Sequence, residues 1–213
     1  MDNILQAPAR LFIHQALQGS YAQLAFRLAR DLERNDRGSS VFVACVGDDE
    51  LGAKTAAELT VALSQELEAT VLLVDASFVP GQLDGRMGGP QDSGLGDLLG
   101  AEKVFKKTLQ AAVQATEYAA IAFLSNRVGS SGRPARAEKI QQVLDVAGRT
   151  YQYVVVAGSV TQGGGRSLVF ASEVDAVLLV AAEGKSRMPA LEQARRLLEE
   201  VNAPRIGLVL VNR

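Results

Sequence analysis

Six short, uninterrupted apolar runs restrict what this chain can fold into more than any other feature: VFVACV (41–46), TVLLVD (70–75), AAIAFL (119–124), YVVVAG (153–158), AVLLVA (176–181) and IGLVLV (206–211). Each has strand length, is rich in Val, Ile and Leu, and is apolar at consecutive rather than alternate positions. A strand with one face in water alternates polar and apolar residues, so runs of this kind require cover on both faces. The same chain supplies that cover. KTAAELTVALSQELE, RAEKIQQVLDVAGR and MPALEQARRLLEEV carry apolar residues at three- and four-residue spacing, which predicts amphipathic helices between the strands. Alternating strand and helix predicts an α/β fold with a doubly wound, mostly parallel sheet flanked by helices.

At 213 residues the expectation is a single domain over 1–213. Its N-terminal helical segment is 1–38, built on GSYAQLAFRLARDLER, and its sheet core is 39–213. Hydrophobic residues make up 47% and charged residues 22%, a globular balance, and the net charge of −2 gives no overall attraction to nucleic acid. No run reaches the roughly 20 apolar residues of a membrane span, and MDNILQAPARLF lacks a signal-peptide core, so direct membrane insertion is not expected and a cytoplasmic location is. Cys45 is the one cysteine, inside an apolar run, and reads as a small buried hydrophobe. His14 has no Cys or His companion, so no metal site is expected there. Gly- and Pro-dense stretches at 80–102 and 126–135 read as surface loops, the first ending in a short helix, and Gly163-Gly164-Gly165 as a solvent loop.

Ligands of open α/β sheets bind where strands end and helices begin. The first such junction, VACVGDDELGAKTAAEL (43–59), resembles a phosphate loop, in which glycines turn backbone N–H groups inward, a Lys reaches the β and γ phosphates and a Ser or Thr holds magnesium. Gly52, Lys54 and Thr55 are the candidates. Ala53 separates the glycine from the lysine, so the strict spacing fails by one residue, and Asp48, Asp49 and Glu50 stand where phosphate oxygens would lie. Ordinary helix-start residues are the competing reading of Lys54 and Thr55. Asp75, closing the second run, is placed to reach a metal or its water, or equally to cap a turn. Ala157 closes the fourth run and can do neither.

With those junctions in view, the chain resembles the cytoplasmic bacterial tyrosine kinases of capsule and exopolysaccharide assembly, within the MinD-like deviant P-loop ATPases. The resemblance runs from about Tyr21 to Arg213 and rests on GSYAQLAFRL, ELGAKT, VLLVDASFV, GLGDLLGAE, YQYVVVAGSV, EVDAVLLVAAEGKSRMPALEQARRLLE and GLVLVNR. It implies a P-loop NTPase fold, with Asn212 as the residue that contacts adenine. The scaffold segments agree better than the chemical ones. Ser77 stands for the second Asp of the family's D-x-D, Val79 for its Arg, Ala157 for a magnesium-holding Asp and Ala53 for the glycine before the Lys. The glutamate and arginines used for ring assembly become Gly19, Ala22 and Ala25, and the family's tyrosine cluster is not matched by Tyr21, Tyr118, Tyr151 or Tyr153.

The resemblance, with these losses, implies a pseudo-enzyme: no catalytic residues, no metal, no required cofactor, and a regulatory or docking role beside an inner-membrane polysaccharide co-polymerase or synthase, with self-association open. Such a protein would be peripheral to the membrane through its partner. The alternative implied is weak ATP or ADP binding, with residual ATPase or autokinase activity, through Gly52, Lys54, Thr55, Asp75 and Asn212. An unrelated enzyme has little support, because no Ser-His-Asp set can be built on one histidine and no G-x-G-x-x-G follows the first run.

Overall fold

The computed structural model describes residues 18–32, 37–78, 83, 93–127, 136–160 and 165–211. All six apolar runs are strands: β1 (Ser39–Cys45), β2 (Val71–Asp75), β4 (Ile121–Leu124), β5 (Tyr153–Ala157), β6 (Ala176–Ala182) and β7 (Ile206–Val211). A two-residue β3 (Gln114–Ala115), too short to leave a periodic signal, joins them. Among the described residues they form one seven-stranded sheet in the order β3-β4-β2-β5-β1-β6-β7. Every pairing is parallel except β3 with β4.

The helices are α1 (Gln18–Asp31), α2 (Asp49–Glu66), α3 (Leu95–Gly100), α4 (Lys106–Ala112), α5 (Ala137–Gly148), α6 (Gly165–Glu173) and α7 (Met188–Glu200). The four helices expected between and before the runs are present, as is the short helix near 102. α4 and α6 were not anticipated, and α6 begins at the last residue of the triple glycine.

Successive strand residues point to opposite faces, so each strand feeds two cores. Val41, Val43, Cys45, Val71, Leu73 and Val155 pack on one side with α1 and α2. Phe42, Ala44, Leu72, Val74, Val154 and Val156 pack on the other with α3 to α7. Each fully buried Leu or Val contributes about 1.5–3 kcal/mol, and the buried polar residues at the start of β1, Ser39 and Ser40, are hydrogen-bonded, Ser40 to Asp175.

α2 is the most enclosed helix. Twelve of its residues, Leu51 to Leu63 with Lys54 excepted, are buried, because α1 lies over the side that faces away from the sheet. Its small residues, Gly52, Ala53, Ala56, Ala57 and Ala62, let both neighbours approach closely. Cys45 is fully buried in this core, as a small hydrophobe should be. β7 departs from the expectation of cover on both faces: Leu208 and Leu210 are exposed.

Candidate functional site

The sheet reverses direction of growth at β1, which lies between β5 and β6, and the crevice outside its carboxyl end is where this topology binds ligands. Val46 extends the β1–β6 pairing by donating its N–H to the Val180 carbonyl at 2.9 Å. Gly47 then turns the chain with φ of +77°, a left-handed conformation that favours glycine. Asp48 caps α2: its Oδ1 accepts from the Leu51 N–H at 2.9 Å, and its carbonyl accepts from the Gly52 N–H at 3.1 Å. The helix is therefore already under way at Asp49, with Asp49 and Glu50 in its first turn, where carboxylates complement the positive end of the helix dipole.

That early start corrects the placement of the lysine and threonine. They lie not in the first turn but in the second, about 7.5 Å along the axis from Asp49 at 1.5 Å per residue for Lys54. The N–H groups from Leu51 onward serve the cap and the helix ladder rather than a phosphate cradle. Gly52 sits against β1. A Cβ on it would fall 2.8 Å from the Cys45 backbone nitrogen and 3.3 Å from the Cys45 Cβ, so the missing side chain lets helix and strand touch.

Thr55 is fully buried, and its hydroxyl has no hydrogen-bond partner of normal geometry among the described residues. Its neighbourhood is the seam between α2 and α1, where the Tyr21 phenol lies beside it. Burial raises the Tyr21 pKa, the contact with Thr55 opposes the rise, and the nearby Glu58 carboxylate adds to it. Lys54 is half-buried and forms no ion pair among the described residues.

At the end of β2, Asp75 is fully buried, and its Oδ1 accepts from both the Ser77 N–H (3.0 Å) and the Ser77 hydroxyl (2.7 Å). This is the turn-capping arrangement that was one of its two sequence readings. Asn126, just past β4, donates from Nδ2 to the Ser77 Oγ at 3.3 Å. Asn126 falls in a stretch that the sequence reads as a loop, two residues past the third run, whereas Asp75 closes its run. Ala157 lies opposite Asp75 in the register, and its carbonyl accepts the Ala76 N–H at 2.8 Å.

The structure thus brings Asp75, Ser77 and Asn126 into one chain of hydrogen bonds and directs Gly52 and Thr55 toward packed interfaces. Asn212 and Val79 lie outside the described residues, as does His14. Among the described residues no three His, Cys, Asp or Glu are grouped to hold a metal ion, and no helix is long and apolar enough to cross a membrane.

No protein-family model matches the chain, and no curated protein matches it in sequence. Solved structures do match in shape. The kinase domain of Escherichia coli tyrosine kinase ETK superposes with a TM-score of 0.76 at 17% identity, covering 98% of this chain and 84% of that one. The VpsO kinase domain gives 0.69 at 20% identity, covering 93% and 97%. A ParA family ATPase from Chlorobium tepidum gives 0.65 at 22% identity, covering 83% and 74%. At these identities the likeness concerns architecture, and it is consistent across the three. The chain has the P-loop NTPase fold shared by bacterial tyrosine kinase domains and ParA-type ATPases.

Proposed function

We propose that this chain is a kinase-like protein without nucleotide turnover. It acts as a regulatory or docking partner in bacterial capsule or exopolysaccharide assembly, held at the cytoplasmic side of the inner membrane by a polysaccharide co-polymerase or synthase. The observation that carries the first half is the start of α2 at Asp49 under an Asp48 cap. Magnesium nucleotide requires inward N–H groups, a lysine at the close of the loop, a hydroxyl on the metal and acids from neighbouring strands. The residues here fit it poorly: the Leu51 and Gly52 N–H groups are used by the cap and the helix, Thr55 is enclosed beside α1, the Ala157 side chain has no ligand atom, and Asp75 caps its own turn. A carboxylate 4 Å from a phosphate charge repels it by about 1 to 4 kcal/mol between water and an effective dielectric of 20, and about 1.4 kcal/mol is a tenfold loss of affinity. The pathway and the membrane partner rest on the motif resemblance, GLGDLLGAE above all.

Isothermal titration with ATP and magnesium, run beside a phosphate-release assay, is the test. No heat at millimolar nucleotide and no release are expected; micromolar binding with hydrolysis would overturn the reading. One observation favours residual binding instead: Lys54 is half-buried with no ion pair among the described residues, so its charge is available. A thermal shift on adding ADP that disappears in Lys54→Ala would establish that reading.

A further inference from the structure

The binding capacity that this fold leaves unused lies at the lateral edge of the sheet. Among the described residues β7 has a strand neighbour on one side only, and IGLVLV contains no charge and no proline. Edge strands are normally protected by lysine, proline or a bulge against further pairing. Here Leu208 and Leu210 are instead 65% and 62% exposed, and Met188 at the start of α7 is 65% exposed. A groove of about 680 Å³ runs beside the strand, with Met188, Leu191, Ile206 and Leu208 in its wall.

The main chain fixes which residues could pair outward. The Arg205 and Val211 carbonyls accept from Val177 (3.3 Å) and Glu183 (3.0 Å) on the β6 side. Backbone polar groups alternate sides along a strand, so Leu208 and Leu210 direct theirs away from the sheet.

We propose that β7 docks a second copy of this chain, strand to strand and antiparallel, about a twofold axis at Val209. This register sets Leu208 opposite Leu210 of the copy and Leu210 opposite its Leu208. Both are positions with outward N–H and C=O groups, so each pair exchanges two main-chain hydrogen bonds. The exposed leucines of each chain are then covered by those of the other, as cross-strand apolar pairs. Charge favours a copy over a strongly acidic or basic partner. The groove carries Glu192, Arg195, Arg196 and Glu199, two of each sign, with Arg195 and Glu199 already paired at 3.5 Å. Such a rim neither repels its twin nor offers a field to a highly charged protein. Self-association at β7 does not depend on whether nucleotide binds at β1.

The test is light scattering and sedimentation of the full chain across the micromolar range, compared with the double variant Leu208→Lys, Leu210→Lys. The wild type is expected to be a dimer, and lysine opposite lysine is expected to raise its dissociation constant by about 100-fold. Both positions are exposed, so circular dichroism should report an unchanged fold. Val209→Cys should form an intermolecular disulfide under mild oxidation, because a non-hydrogen-bonded antiparallel pair brings two Cα atoms to about 4.5 Å, while buried Cys45 should not. A monomer at every concentration, whatever then covers the edge, would overturn the proposal. So would a dimer indifferent to the lysines, or polydisperse aggregation in place of a defined dimer.

Discussion

The carboxyl end of β1 and β2 and the outer edge of β7 belong to one sheet, yet they treat their polar groups in opposite ways. At the first, several donors and acceptors are taken up by the chain itself: Asp48 caps α2, and Asp75 holds Ser77, which receives Asn126, while the buried Thr55 and Ser125 hydroxyls have no hydrogen-bond partner among the described residues. At the second, a row of main-chain groups and two leucines faces outward with no cover among the described residues. The place where the fold usually binds is partly closed by the chain's own hydrogen bonds, and the place where it usually does not is open. Resemblance of fold therefore says where to look for a ligand, but the local hydrogen bonds decide whether one can enter.

Substitutions at the closed end can break this contrast. Asp75→Ala should cost about 2–3 kcal/mol in urea unfolding, since it strands the buried Ser77 donors. Unchanged or increased stability would mean that Asp75 is a strained ligand group rather than a cap. Gly52→Ala has two opposing terms: helix propensity gains about 1 kcal/mol, and forcing a methyl to 2.8 Å from the Cys45 nitrogen costs about 1–3 kcal/mol. A net loss of about 1 kcal/mol is expected, and a gain would show that no close approach exists. Asp48→Ala should lose about 1 kcal/mol as an N-cap. If Asp48 instead only repels phosphate, the variant would keep its stability and acquire a thermal shift with ADP.

A smaller effect concerns the seam between α1 and α2. Burial holds the Tyr21 phenol neutral past its ordinary pKa of about 10. Above that pH the unfolded chain loses its proton while the folded one keeps it, so stability falls as pH rises, by up to about 1.4 kcal/mol per pH unit for each such group. Tyr21→Phe should flatten the decline of the unfolding midpoint above pH 10. An unchanged alkaline limb would remove Tyr21 as its source and leave Tyr118 and Tyr151, which burial also raises.

Most of the architecture could be read from the apolar runs, because the middle of a central parallel strand is covered on both faces and a polar residue there would need a buried partner, as Ser40 at the start of β1 has in Asp175. The runs could not distinguish β7 from the others: IGLVLV has the same composition as a central strand, and only its position in the sheet leaves it half bare. At the site, the start of α2 was written in the sequence as an aspartate followed by two more acids, a common helix opening. The lysine and threonine farther on drew the reading toward a loop. Asn126 and the seam around Thr55 depend on contacts between segments distant in sequence, Asn126 with Ser77 and Tyr21 with Thr55, for which local pattern holds no trace.

The acid cap on α2 has a consequence for how such a protein could be controlled in a cell. A helix end satisfied by a diffusible anion senses how much of that anion is present, and can be emptied. A donor satisfied by its own neighbour in the chain, as the Leu51 N–H is by Asp48, stays occupied whatever the concentration of that anion. On the proposed reading, without nucleotide turnover, any signal this protein conveys is set by how many copies are made and where they are held.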